Sequence, residues 1–327
     1  MDQTTTSKPS AGGGIRSRHR AALVAALFTG AAGCAGAGPN SVPQAEQPGA
    51  AVPAAHQFAP TGTYPTSETL LFVSENVGTG HVGIYLAKTL KRNRKPIAEI
   101  TDATSNPYGL ALDAAGTLYV LDNSNSTLTE YPKGQTTHSV TITDGLDSPL
   151  GIAIDSKGTL YVSNYPGTIQ EYAKGATSPT KTITGGGLTD PFGVALDKKQ
   201  NLYVADFIAA QVFEIPKGTS TVKSLNLADL SEPLGVCFDA SGNLWVTNGN
   251  GGSVNVYPPG KTAPSQTITS GYTNPYAISS DAQGTVVVSN SAGSNTEIYA
   301  YKPGQYNAYA TLNKGVVSVT GLLLAKP

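Results

Sequence analysis

The sequence predicts an all-β, six-bladed β-propeller with four antiparallel strands in each blade and a ring that the C-terminal strand closes by joining the N-terminal blade. Three observations support this prediction. An apolar motif that runs from proline to aspartate recurs every 42 residues. Each copy is followed by a second apolar segment, and the two ends of the repeated region each supply only part of a unit.

The first copy of the motif is Pro107-Tyr-Gly-Leu-Ala-Leu-Asp113. It recurs from Pro149, Pro191 and Pro233, and in a weaker form from Pro275. Because a fixed period of about 20–50 residues is typical of solenoids and propellers, the repeat is the main guide to the fold.

Each copy leads through a turn into a second strand, which is Leu118-Tyr-Val in the first unit. Asp113 supplies a side-chain acceptor at the start of this turn, and Gly116 allows a left-handed backbone at its end. The third unit has Gln200 in place of the glycine, so we expect a strained or differently closed turn there. A third strand (residues 127–131 in the first unit), a Pro-Lys-Gly turn and a Thr-rich fourth strand complete the unit.

The two ends of the repeated region complement each other. Leu70-Leu-Phe-Val-Ser74 is typical of a second strand that lacks a first, and Thr320-Gly-Leu-Leu-Leu324 of a first strand with nothing after it. Together they predict a sixth blade whose innermost strand comes from the C-terminus, which removes the free sheet edges at the ring seam.

Residues 1–34 are predicted to be an export signal. Basic residues such as Arg16 precede the apolar stretch 21–28, which is too short to span a bilayer. Ala31-Ala32-Gly33-Cys34 resembles the lipobox of bacterial lipoproteins, which implies that Cys34 is lipidated and becomes the mature N-terminus. Its first residue is alanine where that motif usually has leucine, so ordinary cleavage and secretion is the alternative.

Residues 35–66 are rich in Ala, Gly, Pro and Gln without apolar periodicity, which predicts a flexible tether. The propeller is predicted to cover residues 67–327. The second cysteine, Cys237, lies in an apolar run and is predicted to be a small core residue.

Composition argues against one class of partner. The formal net charge is -1, and no basic stripe with interleaved aromatic residues is present. We therefore expect no nucleic-acid binding.

The repeat, Pro-x-Gly-hydrophobic-Ala-hydrophobic-Asp followed by x-x-Gly-x-Leu-Tyr-Val, resembles the NHL repeat and the gluconolactonase-like propellers over residues 69–326. The resemblance implies the six-bladed fold but not one function, because such propellers include lactonases, lyases, receptors and scaffolds. In the gluconolactonase-like enzymes, ligands of a divalent metal include Asn or Asp at the x of Pro-x-Gly. Here that position holds none of these ligands: its residues are Tyr108, Leu150, Phe192, Leu234, Tyr276 and Thr320.

Histidines offer little for catalysis. Of the four, His19 and His56 lie before the propeller, and His81 and His138 belong to different strands. We therefore expect neither a histidine metal cluster nor a Ser-His-Asp triad, and we assign no catalytic residue and no metal ligand. His81 beside Glu75 is either an acid/base pair or a solvated loop histidine.

A ring of acidic and amide residues follows the second strands, and two interpretations of it stay open. Its oxygens suit Ca²⁺, the one cofactor considered, and Glu75, Asp122 and Asp206 would be the acidic members of such a site. Alternatively, each residue caps its own loop. The remaining members are Asn164, Asn248 and Asn290.

The aromatic members of the Pro-x-Gly position, Tyr108, Phe192 and Tyr276, alternate with other residues around the ring. They could form the floor of a central ligand pocket. Tyr108 shares strand phase with Leu110, however, which predicts packing between blades instead.

Charge is distributed unevenly over the predicted turns. Lysine recurs between the third and fourth strands, and residues 88–95 form a basic run. Acidic residues gather in the loops at the opposite face. We therefore advance the hypothesis that the basic face lies toward an anionic membrane. The alternative is that Pro-Lys-Gly is only a soluble turn, since the same face also bears aspartates such as Asp113.

The leading functional prediction is an envelope-anchored or secreted, monomeric propeller that binds a protein, glycan or small molecule without catalysis. It would do so through its top face, which carries the loops before each Pro-x-Gly and after each Leu-Tyr-Val segment. One alternative is a gluconolactonase-like hydrolase or lyase with an atypical divalent-metal site on the same face. Another is a purely structural scaffold with no small-molecule pocket.

Overall fold

The computed structural model describes residues 62–292 and 295–327, in which 24 strands form six four-stranded sheets. The predicted export signal, Cys34 and most of the predicted tether lie outside the described residues. Within them, no helix is long and apolar enough to cross a bilayer.

Each sheet is one blade, and its strands are numbered here in chain order. The innermost strands are β24 (Val319–Ala325), β4 (Pro107–Leu112), β8 (Pro149–Ile154), β12 (Pro191–Leu196), β16 (Pro233–Phe238) and β20 (Pro275–Ser280). The second strands are β1 (Leu70–Glu75), β5 (Leu118–Asp122), β9 (Leu160–Asn164), β13 (Leu202–Asp206), β17 (Leu244–Asn248) and β21 (Val286–Ala292). Blades 1 to 6 are named in this order.

The outer half of each blade is shorter. The third strands are β2 (His81–Leu86), β6 (Thr127–Tyr131), β10 (Thr168–Tyr172), β14 (Gln211–Ile215), β18 (Ser253–Tyr257) and β22 (Asn295–Tyr301). The fourth are β3 (Ala98–Ile100), β7 (Val140–Ile142), β11 (Lys181–Thr184), β15 (Lys223–Ser224), β19 (Gln266–Ile268) and β23 (Ala310–Leu312). A 3₁₀ helix, Ala87–Arg92, joins the third and fourth strands of blade 1.

Closure of the ring is confirmed. Strand β24 pairs antiparallel with β1, with Leu71 opposite Leu324 and Val73 opposite Leu322. The C-terminal strand is therefore the innermost strand of blade 1, and no described blade is left incomplete.

The core lies between blades. Each blade presents apolar side chains on both faces, so neighbouring sheets bury them against each other. Between blades 1 and 2, for example, Phe72 and Ile84 pack with Leu118 and Tyr131, all with no exposed surface. Five further clusters of the same kind occupy the other interfaces.

The glycine of Pro-x-Gly is explained by the close approach of innermost strands. A β-carbon at Gly321 would lie 1.9 Å from the carbonyl oxygen of Tyr108, and one at Gly151 would lie 2.3 Å from that of Phe192. A side chain there would push neighbouring blades apart. Blade 6 alone has alanine, Ala277, at this position.

The turn with Gln200 has the same geometry as the equivalent turns of the other blades. Gln200 has a φ of 67°, in the left-handed region that its glycine counterparts also occupy. Its backbone N–H donates to the carbonyl of Asp197 at 2.9 Å. The predicted strain is therefore confirmed, and the Gln200 side chain compensates in part by accepting a hydrogen bond from Ser156 N–H at 2.7 Å.

Packed structure begins before residue 67, where the sequence places the start of the propeller. Tyr64 is buried, and its ring meets Phe72 edge-on at 5.5 Å between centroids. Its backbone N–H donates to the carbonyl of Gly134 in the turn after β6. The end of the segment predicted as a tether is thus fixed against blade 2.

Candidate functional site

The two faces of the ring are defined by strand direction. The top face carries the loops that precede the innermost strands and those that join second to third strands. The bottom face carries the turns that join first to second and third to fourth strands. All strand pairs within the blades are antiparallel, so this assignment holds in every blade.

Three aromatic side chains meet at the top of the central channel. The rings of Tyr108 and Phe192 lie 6.2 Å apart, and those of Phe192 and Tyr276 lie 5.3 Å apart and perpendicular. These residues belong to blades 2, 4 and 6, which are not neighbours, so their rings touch across the ring axis. Their exposed fractions of 2%, 7% and 3% show that they close the channel instead of lining an open pocket.

Tyr108 is packed, but its side chain does not point between blades as its strand phase with Leu110 predicted. The pairing of β4 with β5 shifts register between Pro107 and Leu110. This bulge turns Tyr108 toward the axis while Leu110 packs against blade 1. The same shift occurs in blades 3 to 6.

Below the aromatic residues the channel is narrow. One cavity of about 80 Å³ is lined by the Pro-x-Gly glycines together with Phe192 and Tyr276. A second, of about 340 Å³, is lined by the lower halves of the innermost strands and opens toward the bottom face. Within the part of the chain that the structure describes, the three aromatic rings therefore cover the axis at the top face.

The acidic residues that follow the second strands are used inside the fold. Asp122 Oδ2 accepts hydrogen bonds from the backbone N–H groups of Ser105 at 2.5 Å and Asn106 at 2.9 Å. Its Oδ1 accepts one from Asn125 N–H at 2.9 Å. Asp122 is 1% exposed, so it joins the two top loops of blade 2 from within.

The same arrangement recurs around the ring. Asp206 accepts from the N–H groups of Thr189, Asp190 and Ala209, and Asn290 accepts from the loop that precedes β20. These contacts are those of loop caps, the second of the two interpretations. Occupation by Ca²⁺ would require the carboxylates to exchange these hydrogen bonds for metal ligation.

Glu75 is the blade 1 member of the ring, and it contacts His81. Its Oε2 accepts from the backbone N–H of Val317 at 2.7 Å, and its Oε1 lies 3.6 Å from His81 Nε2 and 3.4 Å from the Tyr85 hydroxyl. Burial alone would lower the pKa of His81, but the hydrogen bond and charge of Glu75, with the charge of Glu99, raise it overall. Glu75 thus holds the loop that leads into β24.

The six predicted ring carboxylates and amides are not gathered into one site. Each lies within its own blade, and the described residues contain no group of three or more His, Cys, Asp or Glu side chains placed to hold a metal ion. Cys237 is buried among Trp245, Ile278 and their neighbours, as predicted for a core residue.

Exposed apolar side chains mark the top face. Among the described residues, four large apolar side chains are exposed: Val77, Ile97, Ile208 and Val317. Three of them lie in top loops. Val77 and Val317 belong to adjacent loops, joined by a 3.0 Å hydrogen bond from Asn76 N–H to the Ser318 carbonyl, and Ile208 lies across the ring on blade 4 with 60% of its surface exposed.

The sequence did not single out these apolar loop residues, because each occurs once and has no counterpart in the other units. It also missed a set of buried hydroxyls. Ser74, Ser163, Thr247 and Ser289 occupy one position of the repeat, directly after the second apolar segment, and bond to the bulged innermost strands. Their recurrence could have revealed them.

A further cavity, of about 490 Å³, opens between blades 4 and 5 on the bottom face. Tyr203, Phe238 and Leu227 form part of its wall, and Lys199 and Lys261 lie at its edge. Nothing in the repeat predicted it.

Comparison with known proteins supports the fold. No protein-family model matches the chain, and no curated protein matches it. Among solved structures, a nidogen/laminin complex matches at 22% identity over 79% of this chain and 98% of that chain, with a TM-score of 0.63. A protein of unknown function from Bacteroides caccae matches at 14% identity over 80% of this chain and all of its own, also at 0.63.

A third match is an inactive variant of virginiamycin B lyase from Staphylococcus aureus with quinupristin, at 12% identity over 77% of this chain and 87% of that chain, with a TM-score of 0.52. At these identities the likeness concerns the fold alone, and the matched proteins differ in what they do. The chain is a six-bladed β-propeller similar in fold both to a protein solved in a protein complex and to a lyase.

Proposed function

We propose that this chain is a non-catalytic, exported propeller that binds a protein partner through its top face. The observation that carries the proposal is the closure of the central channel by Tyr108, Phe192 and Tyr276. An enzyme of this architecture needs a site into which substrate can enter. Here the axial position is filled by packed aromatic rings, which favours contact with a broad surface over capture of a small molecule.

The hydrogen bonds of the carboxylates that follow the second strands support the same conclusion. A hydrolase or lyase with a metal on the top face would use Glu75, Asp122 and Asp206. Each of these carboxylates is at most 1% exposed and accepts backbone hydrogen bonds. They stabilise the loops that a partner would contact.

The side chains exposed on the top face indicate the chemistry of the partner. Val77 and Val317, in adjoining loops, and Ile208, on blade 4, supply exposed apolar side chains that a bound protein would bury. The exposed acids Asp144 and Asp147 lie on the same face. We therefore infer a protein partner with apolar side chains and a basic contact surface. The nidogen/laminin match shows that a propeller of this fold occurs in a protein complex.

Photo-crosslinking tests the proposal directly. A photoreactive amino acid is placed at position 208 or 77 of the full chain in its native cell, with position 217 of the bottom face as the matched control. We expect one discrete adduct from the top positions and none of that mass from 217. Affinity of the purified partner should fall at least tenfold for Ile208→Asp, with unfolding temperature unchanged.

Two results would contradict the proposal. One is an adduct that forms from position 217 and not from the top face. The other is turnover of a small molecule that is lost on Asp122→Asn while the fold persists, which would favour the enzymatic alternative.

Anchoring is a separate part of the proposal. We propose that Cys34 is lipidated and holds the propeller at the cell envelope, with secretion as the alternative. Metabolic labelling with a palmitate analogue should mark the wild-type chain and not Cys34→Ser. Unlabelled wild-type chain in the culture medium would support secretion instead.

A further inference from the structure

The cationic side chains of the propeller are concentrated at one face. Among the described residues, fourteen of the lysines and arginines lie in bottom-face turns, on the adjoining rim or directly after β24: Lys88, Lys91, Arg92, Arg94, Lys95, Lys133, Lys157, Lys174, Lys198, Lys199, Lys217, Lys261, Lys302 and Lys326. The top loops contain one, Lys314.

These cations are exposed and are held at the surface by the fold. All fourteen are exposed. The stem of Lys133 packs over Gly116 and that of Lys174 over Gly158, so third-to-fourth turns cover first-to-second turns in two blades. The ammonium of Lys302 lies 5.9 Å from the centre of the Tyr309 ring. The charges therefore form a ring around the rim.

Acidic residues on the same face are fewer than these cations and offset only part of their charge. Each first-to-second turn contains one aspartate, but its Oδ1 faces inward. Asp113 Oδ1, for example, accepts the N–H groups of Ala115 at 2.9 Å and Thr117 at 2.8 Å. The counterparts are Asp155, Asp197, Asp239 and Asp281. The lysines reach outward, whereas these carboxylates are drawn into their turns. One ion pair, Lys88 with Glu68, occupies part of the rim.

The chain enters the propeller at this face. Tyr64 N–H donates to the carbonyl of Gly134, and Thr136 N–H donates to that of Gly62, both beside the turn that carries Lys133. Residue 62, the first described residue, therefore lies at the face that carries the cations.

We propose that the bottom face is a docking surface for anionic phospholipid, which leaves the top face directed away from the membrane. A ring of lysines around a broad disc fits a plane of phosphate headgroups, and each such charge near an anionic bilayer adds to binding. Single-stranded nucleic acid fits less well, because none of the described aromatic side chains is exposed to stack on bases. The inference extends the proposed function, since it orients the partner-binding face.

Vesicle co-sedimentation tests the proposal. The full chain carries Cys34→Ser, so that no covalently attached lipid contributes to vesicle binding. The vesicles are phosphatidylcholine alone or with about one third phosphatidylglycerol. Five turn lysines are changed together to Gln: Lys133, Lys174, Lys217, Lys261 and Lys302. The matched control removes the same net charge from exposed top positions by changing Ser124, Thr143, Thr184, Asn250 and Ser270 to Glu.

We expect binding to phosphatidylglycerol vesicles that weakens with salt and is at least tenfold tighter than to phosphatidylcholine. The five-lysine variant should lose at least tenfold in binding, and the top-face control should lose less than threefold. Both should keep the wild-type unfolding temperature.

Three outcomes would overturn the proposal. The first is equal binding of the chain to the two kinds of vesicle, and the second is equal binding of the five-lysine variant and the control. The third is tighter binding of the chain to a duplex oligonucleotide than to the vesicles. The third outcome would assign the surface to nucleic acid. Because these arms involve no protein partner, their failure is distinguishable from failure of the top-face function.

Discussion

The hydroxyl of Ser163 links two neighbouring blades through the carbonyl oxygen of Phe192, to which it donates a hydrogen bond of 2.7 Å. The Ser163 hydroxyl oxygen in turn accepts a hydrogen bond from the backbone N–H of Gly151 at 2.8 Å, in the bulge of its own blade. Thr247 forms the equivalent bridge from Gly235 to Tyr276. Blade 4 has Ala205 at this position and so has no side-chain hydroxyl to form it. Phe192 and Tyr276 are two of the three aromatic residues that close the channel, so these hydroxyls help to hold the top of the axis together.

Replacing this bridge should destabilise the fold. Ser163→Ala leaves the buried N–H of Gly151 and the buried carbonyl of Phe192 without their hydrogen-bond partner. We therefore expect a loss of about 1–3 kcal/mol in the free energy of unfolding. Denaturant titration followed by tryptophan fluorescence measures it. The matched control, Ala205→Ser, supplies a hydroxyl at the same register and should change stability by less than about 1 kcal/mol. Equal effects of the two substitutions would count against the bridge.

The seam of the ring is sensitive to volume at Gly321. A β-carbon there would lie 1.9 Å from the Tyr108 carbonyl oxygen, so Gly321→Ala must separate blades 1 and 2. Overpacking of this kind costs about 1–3 kcal/mol, and we expect the upper end. Ala277→Gly at the equivalent position of blade 6 relieves no contact and should cost less than about 1 kcal/mol. The midpoint of urea unfolding distinguishes the two, and an unchanged midpoint for Gly321→Ala would contradict the close approach.

The contact of Glu75 with His81 should make stability depend on pH. The pKa of His81 is raised in the folded state above its ordinary value of 6.5, so protonation favours folding. Its contribution is fully present below pH 6.5 and is lost as the pH rises through the raised pKa. The free energy of unfolding of the wild type minus that of His81→Gln should therefore be larger at pH 6 than at pH 9. A difference that stays constant or grows with pH would be inconsistent with this pair.

Cys237 should be inert in the folded protein. Burial raises the pKa of its thiol, so almost no thiolate is present at neutral pH. In a Cys34→Ser background, a thiol reagent such as dithionitrobenzoate should titrate no cysteine in the native protein and one after denaturation. Rapid labelling of the native protein would show that the interface between blades 5 and 6 is open.

The repeat was sufficient to predict the architecture. Proline, glycine and aspartate at a constant spacing fix where each innermost strand begins, where it approaches its neighbour and where it turns. The incomplete units at residues 70–74 and 320–324 fixed the blade count and the closure, since only their pairing satisfies both. Gln200 also behaved as its position required, because the turn dictates a left-handed backbone whichever residue occupies it.

The direction of Tyr108 could not be predicted from strand phase. Alternation assumes an unbroken ladder, and the bulge between Pro107 and Leu110 adds a residue that reverses the phase. A similar limit applies to Tyr64. Its burial depends on a contact with Gly134, 70 residues later in the chain, that no local pattern encodes. The exposed top residues Val77 and Ile208 occur once each, so no repeat distinguished them.

Hydrogen exchange of residues 319–325 tests the central claim most directly. If β24 is the innermost strand of blade 1, its amides should exchange as slowly as those of β8, residues 149–154, and be released only by global unfolding. The control segment is 62–66, which is held by a few contacts and should exchange faster. Exchange of 319–325 at the rate of 62–66, with 149–154 still protected, would contradict the closure of the ring and the division into top and bottom faces that follows from it.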